Sequence, residues 1–300
     1  MLRQTFLAVL LITGAQPLVV VPASASGSCV QLGDRIAAIR WSPSGETVAI
    51  ASEVRGSNGS IVRTVAWPSL AVTSIAADGT IDSSAGVSVD DLGHVMWVRS
   101  EDAWEVLLDA EGFTGVLGRA TAPVDQPVWT SAHGPIAHLQ GDGGGSLIGF
   151  DPDTGRARVV IDLGDWPGDL RIDGSGAAAI VPLEPDPELG TLGIISADGT
   201  WTWWSTLPEG SRLVSFSDGL GLVLFTDPED GSLRASSVDG AHSTVVLDES
   251  AGIADVGMAG GIPTVAYAGG EATDSICFAE IGSPTEWDMR GPAPDSSRSP

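Results

Sequence analysis

Arg35-Ile36-Ala37-Ala38-Ile39-Arg40 runs into Trp41-Ser42-Pro43-Ser44-Gly45, and Thr47-Val48-Ala49-Ile50-Ala51 follows. Two short apolar segments flank a polar turn that closes on glycine. Such a turn reverses an antiparallel pair of strands, because glycine takes positive φ with little steric cost. The same unit returns at Val87 to Val98 around Gly93, Val128 to Leu139 around Gly134, and Leu170 to Leu183 around Gly176. It returns again at Leu213 to Phe225 around Gly219 and at Ala254 to Tyr267 around Gly260. Successive turn glycines lie 48, 41, 42, 43 and 41 residues apart. A period of roughly 40–45 residues is that of a four-stranded propeller blade.

Each unit holds two further strands. Third strands are expected at Ser60 to Ala66, Trp104 to Asp109, Ser146 to Phe150, Thr191 to Ser196, Leu233 to Val238 and Ser275 to Ile281. Fourth strands are expected at Val72 to Ala76, Gly115 to Leu117, Ala157 to Ile161, Thr200 to Thr206 and Ser243 to Leu247. Asp151-Pro152-Asp153-Thr154-Gly155, Asp198-Gly199 and Asp239-Gly240 supply hairpin turn chemistry. A single blade cannot bury both faces. Stacked in a ring, each blade covers its neighbour, so the chain reads as an all-β, six-bladed β-propeller.

The sixth unit has no fourth strand of its own, since a Pro-, Ser- and Asp-rich stretch follows Ile281. Cys29 to Leu32 at the other end would supply it and close the ring. Cys29 and Cys277, the two cysteines of the chain, would then lie side by side and form a disulfide. Two free buried thiols are the other reading.

Trp41-Ser42-Pro43-Ser44-Gly45 followed by Thr47-Val48-Ala49-Ile50 resembles the WD40-like repeat of TolB-type propellers, an aromatic, then Ser-Pro-Asp-Gly, then an apolar strand. Ser44 stands where that pattern has Asp, and Phe216-Ser217-Asp218-Gly219 is a shortened copy. The resemblance implies six blades and a role in holding proteins or peptides in the cell envelope.

Residues 1–25 read as an export signal: Arg3, an apolar run from Phe6 to Val21, and Ala23-Ser24-Ala25 before cleavage. The run is interrupted by Gly14 and Pro17 and falls short of ~20 unbroken apolar residues, so a membrane span is not expected after cleavage. Ser26-Gly27-Ser28 lacks the Leu-type residue of a lipid-attachment motif before Cys29. The propeller is expected over 26–282 and a disordered tail over 283–300, in a secreted or periplasmic monomer.

The basic residues are all arginine, and the net charge is −25, or −26 without the leader. Nucleic acid and anionic lipid need basic patches, and this chain offers the opposite. The charge suits a basic protein or peptide partner, or a cation. Loops between second and third strands carry Glu101 and Asp102, Asp142, Glu184 and Asp186, then Asp227 and Asp230, with Glu188, Glu229, Glu271 and Asp274 beside them. Loops leading into the blades add Asp82, Asp125, Asp165, Asp169 and Glu249. The two sets share one face, so an acidic ring is expected around that mouth of the channel; solvated turns are the plainer reading.

No nucleophile elbow, zinc-protease helix or phosphate loop occurs, and His94, His133, His138 and His242 are scattered. The function expected is therefore that of an exported, non-catalytic binding or scaffold propeller without a cofactor. The alternative is a metal-dependent hydrolase of the lactonase type, with Ca2+ held by carboxylates in the channel. Resemblance to that group implies a Glu, Asn and Asp ligand set, and this chain has one asparagine, Asn58. Trp201, Trp203 and Trp204 form an aromatic cluster, either packed between blades or presented to a ligand.

Overall fold

The hairpin around Gly45 forms as its spacing predicts. The computed structural model describes residues 20–22, 28–110, 112–141, 144–151, 154–164, 168–183, 190–204, 207–248, 251–270 and 272–281. The expected tail, and the leader apart from 20–22, lie outside the described residues. Strands β1 (Val20–Pro22) and β2 (Ser28–Gln31) come first. Blade one is β3 (Arg35–Trp41), β4 (Thr47–Glu53), β5 (Ser60–Ala66) and β6 (Ala71–Asp78). Blade two is β7 (Val87–Val89), β8 (Val95–Ser100), β9 (Trp104–Ala110) and β10 (Phe113–Ala120), its last strand longer than expected.

Blade three is β11 (Val124–Thr130), β12 (Gly134–Gly141), β13 (Gly144–Phe150) and β14 (Ala157–Gly164). Blade four is β15 (Gly168–Ile172), β16 (Ala178–Pro182), β17 (Leu192–Ile195) and β18 (Trp201–Trp204). Blade five is β19 (Arg212–Ser217), β20 (Leu222–Thr226), β21 (Leu233–Ser237) and β22 (Ser243–Leu247). β23 (Ala254–Ala259), β24 (Ile262–Gly269) and β25 (Ser275–Glu280) begin blade six.

The N-terminal strand completes the last blade, in the order β1-β2-β25-β24-β23. Cys29 sits directly opposite Cys277 in the β2–β25 ladder, and the two form a disulfide across 248 residues of sequence. Cleavage after Ala25 would remove β1 and leave this blade with four strands, like the other five.

Six apolar clusters hold the ring, one in each space between neighbouring blades. Inner strands are covered on both sides, which is why they read as unbroken apolar runs: β16 buries all five of its residues. At the closing interface Trp41 meets Phe278 edge-on with ring centroids 5.7 Å apart, and Trp67 completes the trio 4.9 Å from Phe278. Burying one such side chain contributes roughly 1.5–3 kcal/mol.

Side chains also tie neighbouring inner strands, whose facing edges have no ladder partner. The N–H of Trp41 donates to Asp255, that of Trp129 to Ser88, that of Leu213 to Asp169, and that of Val256 to Ser215. In every case the acceptor belongs to the preceding blade. Backbone donors that would otherwise be orphaned are thereby satisfied.

Two sequence expectations shift in detail. In blade five the positive-φ glycine is Gly221 rather than Gly219, because the turn is carried two residues later. The tryptophans of β18 divide between faces: Trp201 and Trp203 stack with centroids 5.5 Å apart, while Trp204 packs into the cluster between blades four and five. Trp203 lies over Gly193, its partner on β17, where a Cβ would approach the ring to 2.8 Å. The cluster is thus engaged in packing.

Candidate functional site

Two cavities lie along the central channel. The larger, about 610 Å3, opens on the side of the glycine turns and is lined by the ends of the inner strands of all six blades. The smaller, about 170 Å3, lies at the opposite mouth, where the chain leads into each blade. Arg40 and Asp255 line both.

Inner strands place these residues. Arg40 ends the apolar run that opened the sequence reading, and strand alternation turns it inward. Asp255 is buried within β23. Its Oδ2 accepts the Trp41 N–H at 2.8 Å and its Oδ1 accepts the Ser215 hydroxyl at 2.5 Å. Arg40 Nη1 lies 3.7 Å from Oδ1. Burial pushes the Asp255 carboxyl up, against the pull of Arg40 and these hydrogen bonds. Arg171 donates Nε to the Val214 carbonyl and Nη1 to the Leu170 carbonyl, each at 2.7 Å. Desolvation lowers its pKa.

The wide mouth combines apolar wall and acidic rim. Trp129, Leu92, Pro43 and Met258 contribute carbon surface, and Leu92 is 81% exposed. Asp90 accepts from the Leu92 and His94 backbone and from His94 Nδ1, all within 2.9 Å. Asp91 accepts the Ser44 N–H at 2.6 Å, bridging blades one and two. Asp173 accepts the N–H groups of Ser175 and Asp218, and burial raises its pKa. The rim carboxylates thus brace their turns while giving the mouth a negative field.

The acidic residues expected to form a site behave differently from one another. Glu101 and Asp102 are exposed. Asp227 is buried and holds Arg234 Nε at 2.7 Å, while Asp230 takes Nη2 at 2.9 Å. The Ser232 hydroxyl and backbone, with Arg234, bring Asp230 down to about 2. None of these four lines either cavity. Asp142, Glu184 and Asp186 lie outside the described residues. Asp125, from a leading-in loop, does line the narrow mouth, bonded to His138 Nδ1 at 2.8 Å and Gln140 at 2.7 Å.

Among the described residues no three His, Cys, Asp or Glu side chains converge to hold a metal ion. No helix among the described residues is long and apolar enough to cross a membrane.

No family model matches the chain, and no curated protein matches it. Solved structures do. A putative TolB from Agrobacterium tumefaciens superposes with a TM-score of 0.53 at 10% identity, covering 82% of this chain and 90% of that one. A gluconolactonase from Xanthomonas campestris gives 0.53 at 14%, covering 89% and 95%. TolB from Acinetobacter baumannii gives 0.48 at 11%; this chain spans 55% of its length, using 83% of its own. The fold is therefore common to proteins that differ in activity. The chain is a six-bladed β-propeller of the architecture found in TolB-type proteins.

Proposed function

We propose that this protein is an exported, non-catalytic binding propeller that receives a segment of a protein or peptide at its wide channel mouth. The observation that carries this reading is the cavity of about 610 Å3 walled by all six blades, with Trp129, Leu92, Pro43 and Met258 beside Asp90, Asp91 and Asp173. Pockets of roughly 300–1,000 Å3 with apolar walls and a few placed polar groups are those that take ligands. The acidic rim favours a segment that is neutral or basic. The Cys29–Cys277 disulfide supports an oxidising compartment outside the cytosol.

A photoreactive residue at Leu92, on the rim, tests the reading against the same group at Val159, 61% exposed on an outer strand. Crosslinks to a partner should form from position 92 and not 159. They should disappear in Gly219→Trp, which fills the mouth from a position where a Cβ meets nothing within 4 Å. Equal crosslinking from both positions would sink the proposal. A calcium titration should show only weak binding that salt abolishes; tight binding that survives salt would bring the hydrolase reading forward.

A further inference from the structure

Two arginines stand among the carboxylates of the central channel. Arg40, Ser88, Arg171 and Asp255 each stand five residues before their turn glycines, Gly45, Gly93, Gly176 and Gly260, and so share one level of the ring. Two guanidiniums and the Asp255 carboxylate stand at this level, with Asp173 acting on Arg40 and Asp169 and Asp125 on Arg171 from the levels beside it.

The donors at this level are unequally used. Both oxygens of Asp255 are taken by Trp41 and Ser215. Two nitrogens of Arg171 are taken by carbonyls. Arg40 differs: among the described residues its one partner is Asp255 at 3.7 Å, beyond hydrogen-bond reach, although its side chain is only 14% exposed. A guanidinium presents five N–H donors in a planar fork that matches a carboxylate, and here the fork opens onto the cavity. Ser88, at the same level of the next blade, is buried. Its Oγ accepts the Trp129 N–H at 3.2 Å, and its own proton has no acceptor among the described residues. Both residues line the wide cavity.

Resting on the binding reading above, we propose that Arg40 and Ser88 form an anchor for the C-terminal carboxylate of a peptide that enters through the wide mouth. A single carboxylate satisfies the fork and the hydroxyl together. The rim of Asp90, Asp91 and Asp173 selects against ligands with further negative charge, such as phosphate esters, and favours a peptide whose remaining side chains are apolar or basic. The cavity volume admits only the last few residues of a chain.

The test uses the disulfide-bonded protein and a soluble pentapeptide library in two forms, with free C-terminal carboxylates and with C-terminal amides. Wild type should retain the free-acid pool at least about tenfold better than the amide pool, as expected for a lost charge-assisted hydrogen bond. Arg40→Lys keeps the charge near Asp255 but loses the fork, and should erase that preference while the thermal midpoint holds. Equal retention of the two pools by wild type overturns the anchor and leaves the channel reading intact. A preference unchanged in Arg40→Lys overturns the role of Arg40. Retention of neither pool overturns the anchor and the channel reading together.

Discussion

The backbone N–H of Trp41 donates to Asp255 Oδ2 at 2.8 Å, joining the innermost strands of the first and last blades across 214 residues of sequence. The same carboxylate holds Ser215 of blade five and faces Arg40. One buried side chain therefore links three blades where the ring closes.

Replacing Asp255 by Ala leaves the Trp41 N–H and the Ser215 hydroxyl without their acceptor and the Arg40 guanidinium without its nearest counter-charge. Removing one partner of a buried charged network costs roughly 3–5 kcal/mol. Urea unfolding of Asp255→Ala should show a loss of that order, and Asp255→Asn, which keeps one acceptor oxygen, should lose less. Equal losses would mean that the network contributes little beyond packing.

Reducing the Cys29–Cys277 bond should loosen the sixth blade before the others. On the loop-entropy account a bridge spanning 248 residues stabilises by up to roughly 5 kcal/mol. Hydrogen exchange should show β2 and β25 losing protection first in a Cys29→Ser, Cys277→Ser variant. Uniform loss across all six blades would contradict a local closure.

Gly45 and Gly219 occupy corresponding turns but tolerate substitution differently. A Cβ on Gly45 would sit 1.8 Å from the Met258 carbonyl, at a φ of +72°. A Cβ on Gly219 meets nothing within 4 Å. Gly45→Ala should lower the thermal midpoint by an amount equivalent to at least about 2 kcal/mol, combining overpacking with backbone strain. Gly219→Ala should shift it little. Comparable melting of the two variants would show that the blade-one turn can move away from blade six.

Asp230 gives a pH signature. Its folded value, about 2, lies below that of an unfolded aspartate near ~4, so the folded protein binds fewer protons between those limits. Its contribution is full above about pH 4 and is lost as pH falls through about 2. The midpoints of wild type and Asp230→Asn should differ at neutral pH and converge towards pH 2. Asp255 and Asp173 act in the opposite sense: burial raises them, so their contribution declines as pH rises above the unfolded value. A gap for Asp230→Asn that stays constant with pH would contradict its assignment.

The blades are legible in the sequence because every reversal is marked locally, by glycine within a polar turn at a nearly constant interval. Closure is legible for a related reason: the strand lacking in unit six and the surplus strand around Cys29 carry the two cysteines. The site is harder to see. Charge along the sequence marks exposed turns such as Glu101-Asp102, which are many and each locally solvated. Arg40 and Asp255 are single charges inside apolar strands at opposite ends of the chain, and only ring closure brings them to one point. Their common offset from the turn glycine, shared with Arg171, is the signal that would have singled them out.

The bond between Cys29 and Cys277 also changes what an end of this chain means. With the two closing strands covalently joined, the backbone between them becomes a covalent loop. A single cut in any outer turn then yields no separate fragments; it moves the free ends to the cut and leaves a circularly permuted propeller. The first proteolytic nick is then a rearrangement of connectivity rather than a loss of structure.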